Sequence, residues 1–102
     1  MKSSPESPQG AQSALRTIRL LKLFTAERPR LRLGELSELA GLNKTTTHRL
    51  LQALLSEAML DRDQGTGEYR LGPAMMALGV QALTSHKLRL RARPLFKRPG
   101  VD

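Results

Sequence analysis

Gly34-Glu-Leu-Ser-Glu-Leu-Ala-Gly-Leu-Asn-Lys-Thr-Thr-Thr-His-Arg-Leu-Leu-Gln-Ala-Leu-Leu55 joins two runs of helical periodicity through a glycine. In the first run Leu36 and Leu39 are expected to face inward. Gly41 fits the turn, where a positive φ or a close approach of two helices is expected. The second helix is predicted over Asn43 to Glu57. With Thr47 at zero and about 100° per residue, Leu51, Leu54 and Ala58 fall within about 40° of it, flanked by Leu50 and Leu55. Thr45, Arg49, Gln52 and Ser56 land between about 140° and 200°, on the opposite side. Thr47 is therefore predicted in the core, although it sits in a polar triplet. Two helices meeting at a sharp angle through a short turn form a helix-turn-helix, whose second helix lies in the major groove of DNA.

Upstream, Met1 to Gln12 is rich in Ser, Pro, Gly and Gln and is expected to be a disordered tail. Ser13 is the expected N-cap of a helix running to about Ala26. Its apolar stripe is read as Ala14, Ile18 and Leu21, widened by Leu20, Leu23 and Phe24. Arg28-Pro29 closes it, because proline cannot continue a helix and restricts the residue before it. Leu31-Arg32-Leu33 alternates like one short strand, and Gly34 takes the N-cap slot of the next helix.

Downstream, Met59-Leu-Asp-Arg-Asp63 and Glu68-Tyr-Arg-Leu71 flank Gln64-Gly-Thr-Gly67, a pattern that predicts a β-hairpin. A hairpin directly after a helix-turn-helix is the winged-helix layout, with the hairpin tip as the wing. Pro73 suits the first position of a further helix running from Ala74 beyond Leu83. That helix is apolar nearly all round, and a small domain offers few surfaces to cover it. Self-association through Met75, Met76, Leu78 and Leu83 is one explanation; packing on the chain's own first helix is the other.

The expected fold is thus mainly α with a small β-hairpin. A tail (1–12) precedes a winged helix-turn-helix (13–73), a linker or dimerisation helix (74–92) and a basic end (93–102). The 102 residues hold one small domain. The absence of cysteine excludes disulfides and thiolate metal sites, and His48 and His86 are too few and too separate for a metal cluster. No cofactor or metal is expected. Asp61 and Asp63 share one strand face but have no histidine or nucleophile beside them in the sequence, so no enzyme is expected. The apolar run from Ala74 to Leu83 is half the ~20 residues a membrane helix needs, and the first residues lack a signal-peptide core. A cytoplasmic protein with no membrane partner is the expectation. Of the formal +8 charge, residues 86–102 carry +5 and residues 1–10 none, which leaves +3 for residues 11–85. The basic excess permits nucleic-acid binding without diagnosing it.

Arg16, the apolar run from Ile18 to Phe24, Glu35-Leu36, Gly41-Leu42, Lys44-Thr-Thr-Thr-His-Arg-Leu-Leu51 and Tyr69-Arg-Leu-Gly-Pro73 occur in the order and spacing of one family. Over roughly residues 13–95 the chain resembles the DNA-binding domain of the IclR (isocitrate lyase regulator) transcription factors. The resemblance implies a bacterial winged-helix regulator that binds operators as a dimer or dimer of dimers. It also implies a linker helix leading to a larger ligand-sensing domain. Leu88 to Leu95 is similar to the entry into that domain, and Phe96 to Asp102 departs from it. The chain is therefore read as truncated before the effector domain, with no effector-ligand site of its own. Ser37 stands where the family usually has Ala, and Asn43 where it usually has Pro. Asn43 is expected to cap the helix rather than begin it.

Arg49 is the first candidate for DNA contact, gripping a phosphate or reading guanine O6 and N7; its alternative is a solvated helix-surface arginine. Lys44, Thr45 and Thr46 lie in the first helical turn, where free N–H groups and the helix dipole favour phosphate. His48 stands at about 100°, at the edge of the exposed side, and is read as a contact to base or phosphate, or as a partly packed surface histidine. Gln52 reads adenine if the helix lies deep enough. In the wing, Arg62, Thr66 and Arg70 are candidates for the minor groove or backbone, against a solvated hairpin. Tyr69 is expected to pack rather than stack on a base. The reading is a sequence-specific DNA-binding regulator that forms homodimers or higher oligomers on double-stranded DNA at a pseudo-palindromic site. Two rivals remain: an interaction module forming mixed dimers with a full-length relative, and a remnant with no function of its own.

Overall fold

A computed structural model describes residues 8–86. Its elements run α1 (Pro8–Leu21), α2 (Leu33–Ala40), α3 (Lys44–Ser56), β1 (Leu60–Arg62), β2 (Tyr69–Leu71) and α4 (Pro73–Ser85). The mainly helical fold with one small hairpin agrees with the expected class. Residues 1–7 of the predicted tail, 87–92 of the predicted linker and the whole of 93–102 lie outside the described residues.

α1 begins earlier than the sequence suggests. Pro8 opens it, since proline at a first helical position lacks an N–H that would be unpaired anyway. Residues 8–12 are thus helical rather than tail, and Ser13 is an interior residue whose carbonyl accepts from Thr17 Oγ1 at 2.7 Å. The helix also stops at Leu21, short of Ala26. Leu23 and Phe24 donate to the carbonyls three residues back, which tightens the last turn. Thr25 and Arg28 then exchange backbone hydrogen bonds, and Thr25 Oγ1 accepts from the Arg28 N–H at 3.0 Å. The buried stripe is Leu20 and Phe24, with Leu21 and Leu23 packed against it. Ala14 and Ile18 are exposed instead, as is Leu15, so α1 carries a second apolar side turned away from the core.

The strand expected over 31–33 is a single bridge, Leu31 to Tyr69. Glu35 Oε1 accepts from the Arg32 N–H at 2.9 Å and makes Arg32, not Gly34, the N-cap of α2. Leu33 then turns helical and cannot extend the strand. Leu36 is buried, but Leu39 is 45% exposed, contrary to its expected place. The inward side of α2 is set by Leu33, Leu36, Ser37 and Ala40, and Leu39 lies about 110° from their mean direction. Ser37 Oγ donates to the Leu42 carbonyl at 2.6 Å, which ties the helix end to the turn. Gly41 has φ 70°, and a Cβ there would meet nothing within 4 Å. Backbone conformation, rather than crowding, is what requires glycine at this position.

Asn43 caps α3, its side chain accepting from the Thr46 N–H at 2.7 Å. Thr47, Leu50, Leu51 and Leu54 are the buried residues of α3, as the helical wheel predicts. The Thr47 hydroxyl donates to the Asn43 carbonyl at 2.8 Å, so its polar atom is satisfied inside the core. Ala58 falls outside the helix and is only half-buried. It adopts φ 60° and ends α3 in a left-handed cap, with Met59 N–H reaching Leu54 O and Ala58 N–H reaching Leu55 O.

β1 and β2 pair antiparallel, with Leu60 opposite Leu71, Asp61 opposite Arg70 and Arg62 opposite Tyr69. Leu60 and Tyr69 turn into the core beside Leu20, Phe24, Leu31, Leu36, Leu50, Leu51 and Leu54. Tyr69 packs, as expected. Pro73 opens α4. The helix starts against the α3–β1 corner, where Gly72 N–H donates to Met59 O at 2.8 Å and Ala74 N–H to Ala58 O at 2.9 Å. No residue of α4 is buried.

Candidate nucleic-acid interface

The inward leucines of α3 fix which side chains look outward. Lys44, Thr45, His48, Arg49 and Gln52 are exposed, and Thr46 is half-buried. α3 contains no carboxylate, and among the described residues neither Lys44 nor Arg49 is in an ion pair. The Asn43 cap uses the Thr46 N–H, so Lys44 and Thr45 supply the open backbone donors of the first turn. These donors, the helix dipole and two free cations make the start of α3 attractive to an anion. His48 and Gln52 touch each other, Nε2 to Nε2, at 3.1 Å.

A cleft of about 250 Å³ lies beside the turn, lined by Gln12, Arg16, Arg19, Ala40, Gly41 and Leu42. It brings two α1 arginines to the end of α2. Arg19 is not among the residues that sequence spacing points to, because a charge on a surface helix is ordinary by itself.

The wing is built around Asp63. Its Oδ1 accepts from the N–H groups of Gly65 and Thr66 at 2.8 and 3.0 Å. The Thr66 bond and then the Gly65 bond hold its carboxyl below the usual aspartate range against a smaller opposing effect of desolvation, and the nearby Arg70 and Arg30 charges lower it further. Arg70 is bound to Asp61 at 2.9 Å and lies 3.7 Å from Asp63. Arg30, from the segment before α2, lies 3.7 Å from Asp63 and 3.9 Å from Glu68. Thr66, at the tip, donates its hydroxyl to Glu68 at 3.2 Å and accepts from the Glu68 N–H. Arg62 is exposed, with its guanidinium 5.5 Å from the centre of the Tyr69 ring. The structure therefore brings Thr45, His48, Arg49 and Gln52 onto one exposed side, with Lys44 exposed at the first turn of α3, near Gly34. It leaves Arg62 exposed on β1, with Nε donating to the Gly67 carbonyl at 3.5 Å beside the Tyr69 ring, places Thr66 in the exposed hairpin loop, and engages Arg70 with acids.

The pattern of the IclR helix-turn-helix domain matches residues 13–64, just over half of the chain. The chain belongs to the IclR helix-turn-helix family. Its relatives include the DNA-binding transcriptional repressor YiaJ of Escherichia coli, 41% identical over 83% of this chain and 30% of the relative. The glycerol operon regulatory protein of Streptomyces griseus is 36% identical over 79% of this chain and 32% of its own length. An IclR family transcriptional regulator from Brucella abortus superposes with a TM-score of 0.73 and 28% identity, covering 95% of this chain and 37% of that one. The chain spans about a third of the length of the curated relatives it matches. The family is one of transcriptional regulators, not of enzymes. In this IclR-type domain the matched segment contains all of α2, the glycine turn and α3, and ends inside the hairpin.

The four apolar residues expected to mediate dimerisation lie on α4. Met76 and Leu78 are 73% and 55% exposed, and Met75 and Leu83 are half-buried. Val80 adds a further exposed apolar side chain on α4, and Leu15 and Ile18 do so on α1.

Proposed function

We propose that this chain is the DNA-reading part of an IclR-type transcriptional regulator acting in the bacterial cytoplasm. α3 enters the major groove of double-stranded DNA, with Lys44, Thr45 and Thr46 on phosphates and Arg49 and Gln52 toward base edges. Arg62 and Thr66 rest the wing on the neighbouring backbone or minor groove. Arg70 fixes the hairpin that carries them. The observation that carries this reading is the carboxylate-free outer side of α3, where Lys44 and Arg49 are in no ion pair among the described residues, opposite a helix side committed to the core.

Two such units act together. The exposed Met76, Leu78 and Val80 support pairing of α4 helices, which presents two α3 helices to a pseudo-palindromic site. The same surface also favours a second reading, in which the chain forms mixed dimers with a full-length relative. Sedimentation with and without duplex DNA separates them, since the second reading requires oligomers but no DNA complex.

The central test is Arg49→Ala, measured by fluorescence anisotropy on duplexes selected from a randomised library by the unaltered chain. Loss of a guanine contact weakens binding by ~1–3 kcal/mol, and loss of a phosphate contact lowers the salt slope by about one. A titration unchanged in both respects refutes the placement of α3.

A further inference from the structure

The contact between His48 and Gln52 on the outer side of α3 has a chemical consequence for base reading. It joins Gln52 Nε2 to His48 Nε2 at 3.1 Å, across the four-residue spacing that places two side chains on one helix side. An amide nitrogen carries two hydrogens and no available lone pair, so it donates and the ring nitrogen accepts. His48 then keeps its proton on Nδ1. Gln52 has one N–H committed and retains one N–H and the Oε1 acceptor.

We propose that His48 is a positioning residue: it orients the Gln52 amide so that the pair selects adenine over guanine at one base in each half-site. This rests on the placement of α3 in the major groove. Adenine offers an acceptor at N7 beside a donor at N6, while guanine offers two acceptors, N7 and O6. A glutamine with both N–H groups free can turn either pattern toward a base, because its terminal torsion is broad and roughly two-fold. With one N–H held by the ring, the remaining donor and Oε1 match adenine, and the two donors needed by guanine are no longer available together. The bidentate match uses the N–H on the same side as Oε1 and leaves the other for His48. On the helical wheel Gln52, at about 140°, lies between His48 at about 100° and Thr45 at about 160°, so the glutamine stands within the outward side and His48 at its edge. The histidine thus acts through the glutamine. Ordering both side chains before DNA arrives also reduces the rotamer entropy lost on binding.

The test compares the full chain with His48→Phe, Gln52→Ala, the double variant, and Arg49→Ala, all on duplex libraries built around the site selected by the unaltered chain. Phe keeps a ring at position 48 but removes the acceptor. The unaltered chain is expected to prefer adenine at one position of each half-site, and Gln52→Ala to erase that preference. His48→Phe should lower the adenine-to-guanine ratio at the same position by roughly 5- to 10-fold with the salt slope unchanged. The double variant should do no more than Gln52→Ala alone. A His48→Phe chain that keeps the ratio, shifts a different position, or adds to Gln52→Ala overturns the proposal while a damaged Arg49→Ala complex leaves the α3 placement standing. If Arg49→Ala binds unchanged and no adenine preference exists, the α3 placement fails and takes this inference with it.

Discussion

Gly72→Ala should destabilise this domain more than its backbone conformation suggests. Gly72 has φ −99° and ψ 177°, extended values that any residue adopts. Space is what forbids a side chain. A Cβ at this position would lie 2.4 Å from the Ala58 carbonyl oxygen, 2.9 Å from the Leu60 carbonyl carbon and 3.0 Å from its oxygen. All three are backbone atoms, so the strand–helix corner has to open by most of an ångström. That movement strains the two hydrogen bonds that seat α4, Gly72 to Met59 and Ala74 to Ala58. Each bond contributes about 1 kcal/mol net, and overpacking in a tight site costs about 1–3 kcal/mol more. The sum, roughly 3–5 kcal/mol if both bonds are lost, is a large share of what a domain of this size has. Urea denaturation followed by circular dichroism should show the midpoint fall with little change in slope. A loss under about 1 kcal/mol would refute the claim that backbone contact at this corner requires glycine. Because the same corner aims α4, dimerisation should weaken in parallel, measurable by sedimentation equilibrium.

Asn43→Ala removes the cap of α3 and should cost about 1 kcal/mol in urea denaturation, whereas Asn43→Asp should keep the fold as stable and still weaken DNA binding. The aspartate suits the helix dipole but places an anion where phosphate is expected, so anisotropy and denaturation should part company. Asp63 gives a pH dependence of known sign. Its carboxyl is held below the ordinary value of 3.8 in the folded state, so its contribution is present above that pH and is lost as pH falls through the lowered value. Thermal melting should be flat on its account between about pH 5 and 8 and decline below about pH 4, and Asp63→Asn should remove that part of the acid decline. Binding should also weaken steeply with salt, with a log–log slope of about −2 to −3 per reading unit and twice that for a pair.

The two sides of α3 were legible because one strong period acts on a helix with a single buried side. Thr47 inward and Thr45 and Arg49 outward follow from the wheel, and the left-handed Gly41 follows from its place in the turn. α1 misleads the same method. It carries apolar residues on two sides, Leu20 and Phe24 toward the core and Leu15 and Ile18 away from it, and periodicity cannot tell which side the domain's own core uses. Leu39 fails for a related reason: eight residues of α2 leave too few repeats to locate its inward direction. The Asp61–Arg70 pair follows once the hairpin register is known, but Arg30 reaches Asp63 and Glu68 through tertiary placement alone. Gly72 belongs to the same class, since its necessity lies in the approach of a distant backbone.

The structure changes where the positive charge of this domain can act. Arg30 and Arg70 are both occupied by the acids of the hairpin, so the wing is close to neutral. Lys44, Arg49 and Arg62 remain as outward cations of α3 and the wing, with Arg16 and Arg19 beside the turn. A protein that makes six to ten phosphate contacts loses about 10³–10⁵ in affinity between 50 and 200 mM salt, and one reading unit with the three contacts proposed for Lys44, Arg49 and Arg62 has a correspondingly shallower salt dependence. Two units held together double the count, and the second binds at an effective concentration set by their link rather than from bulk solution. The apolar side of α4 and the sparse cations of α3 therefore address one requirement. On the proposed reading, the few outward side chains of α3 discriminate by what they present to the bases, and a second unit adds to their grip.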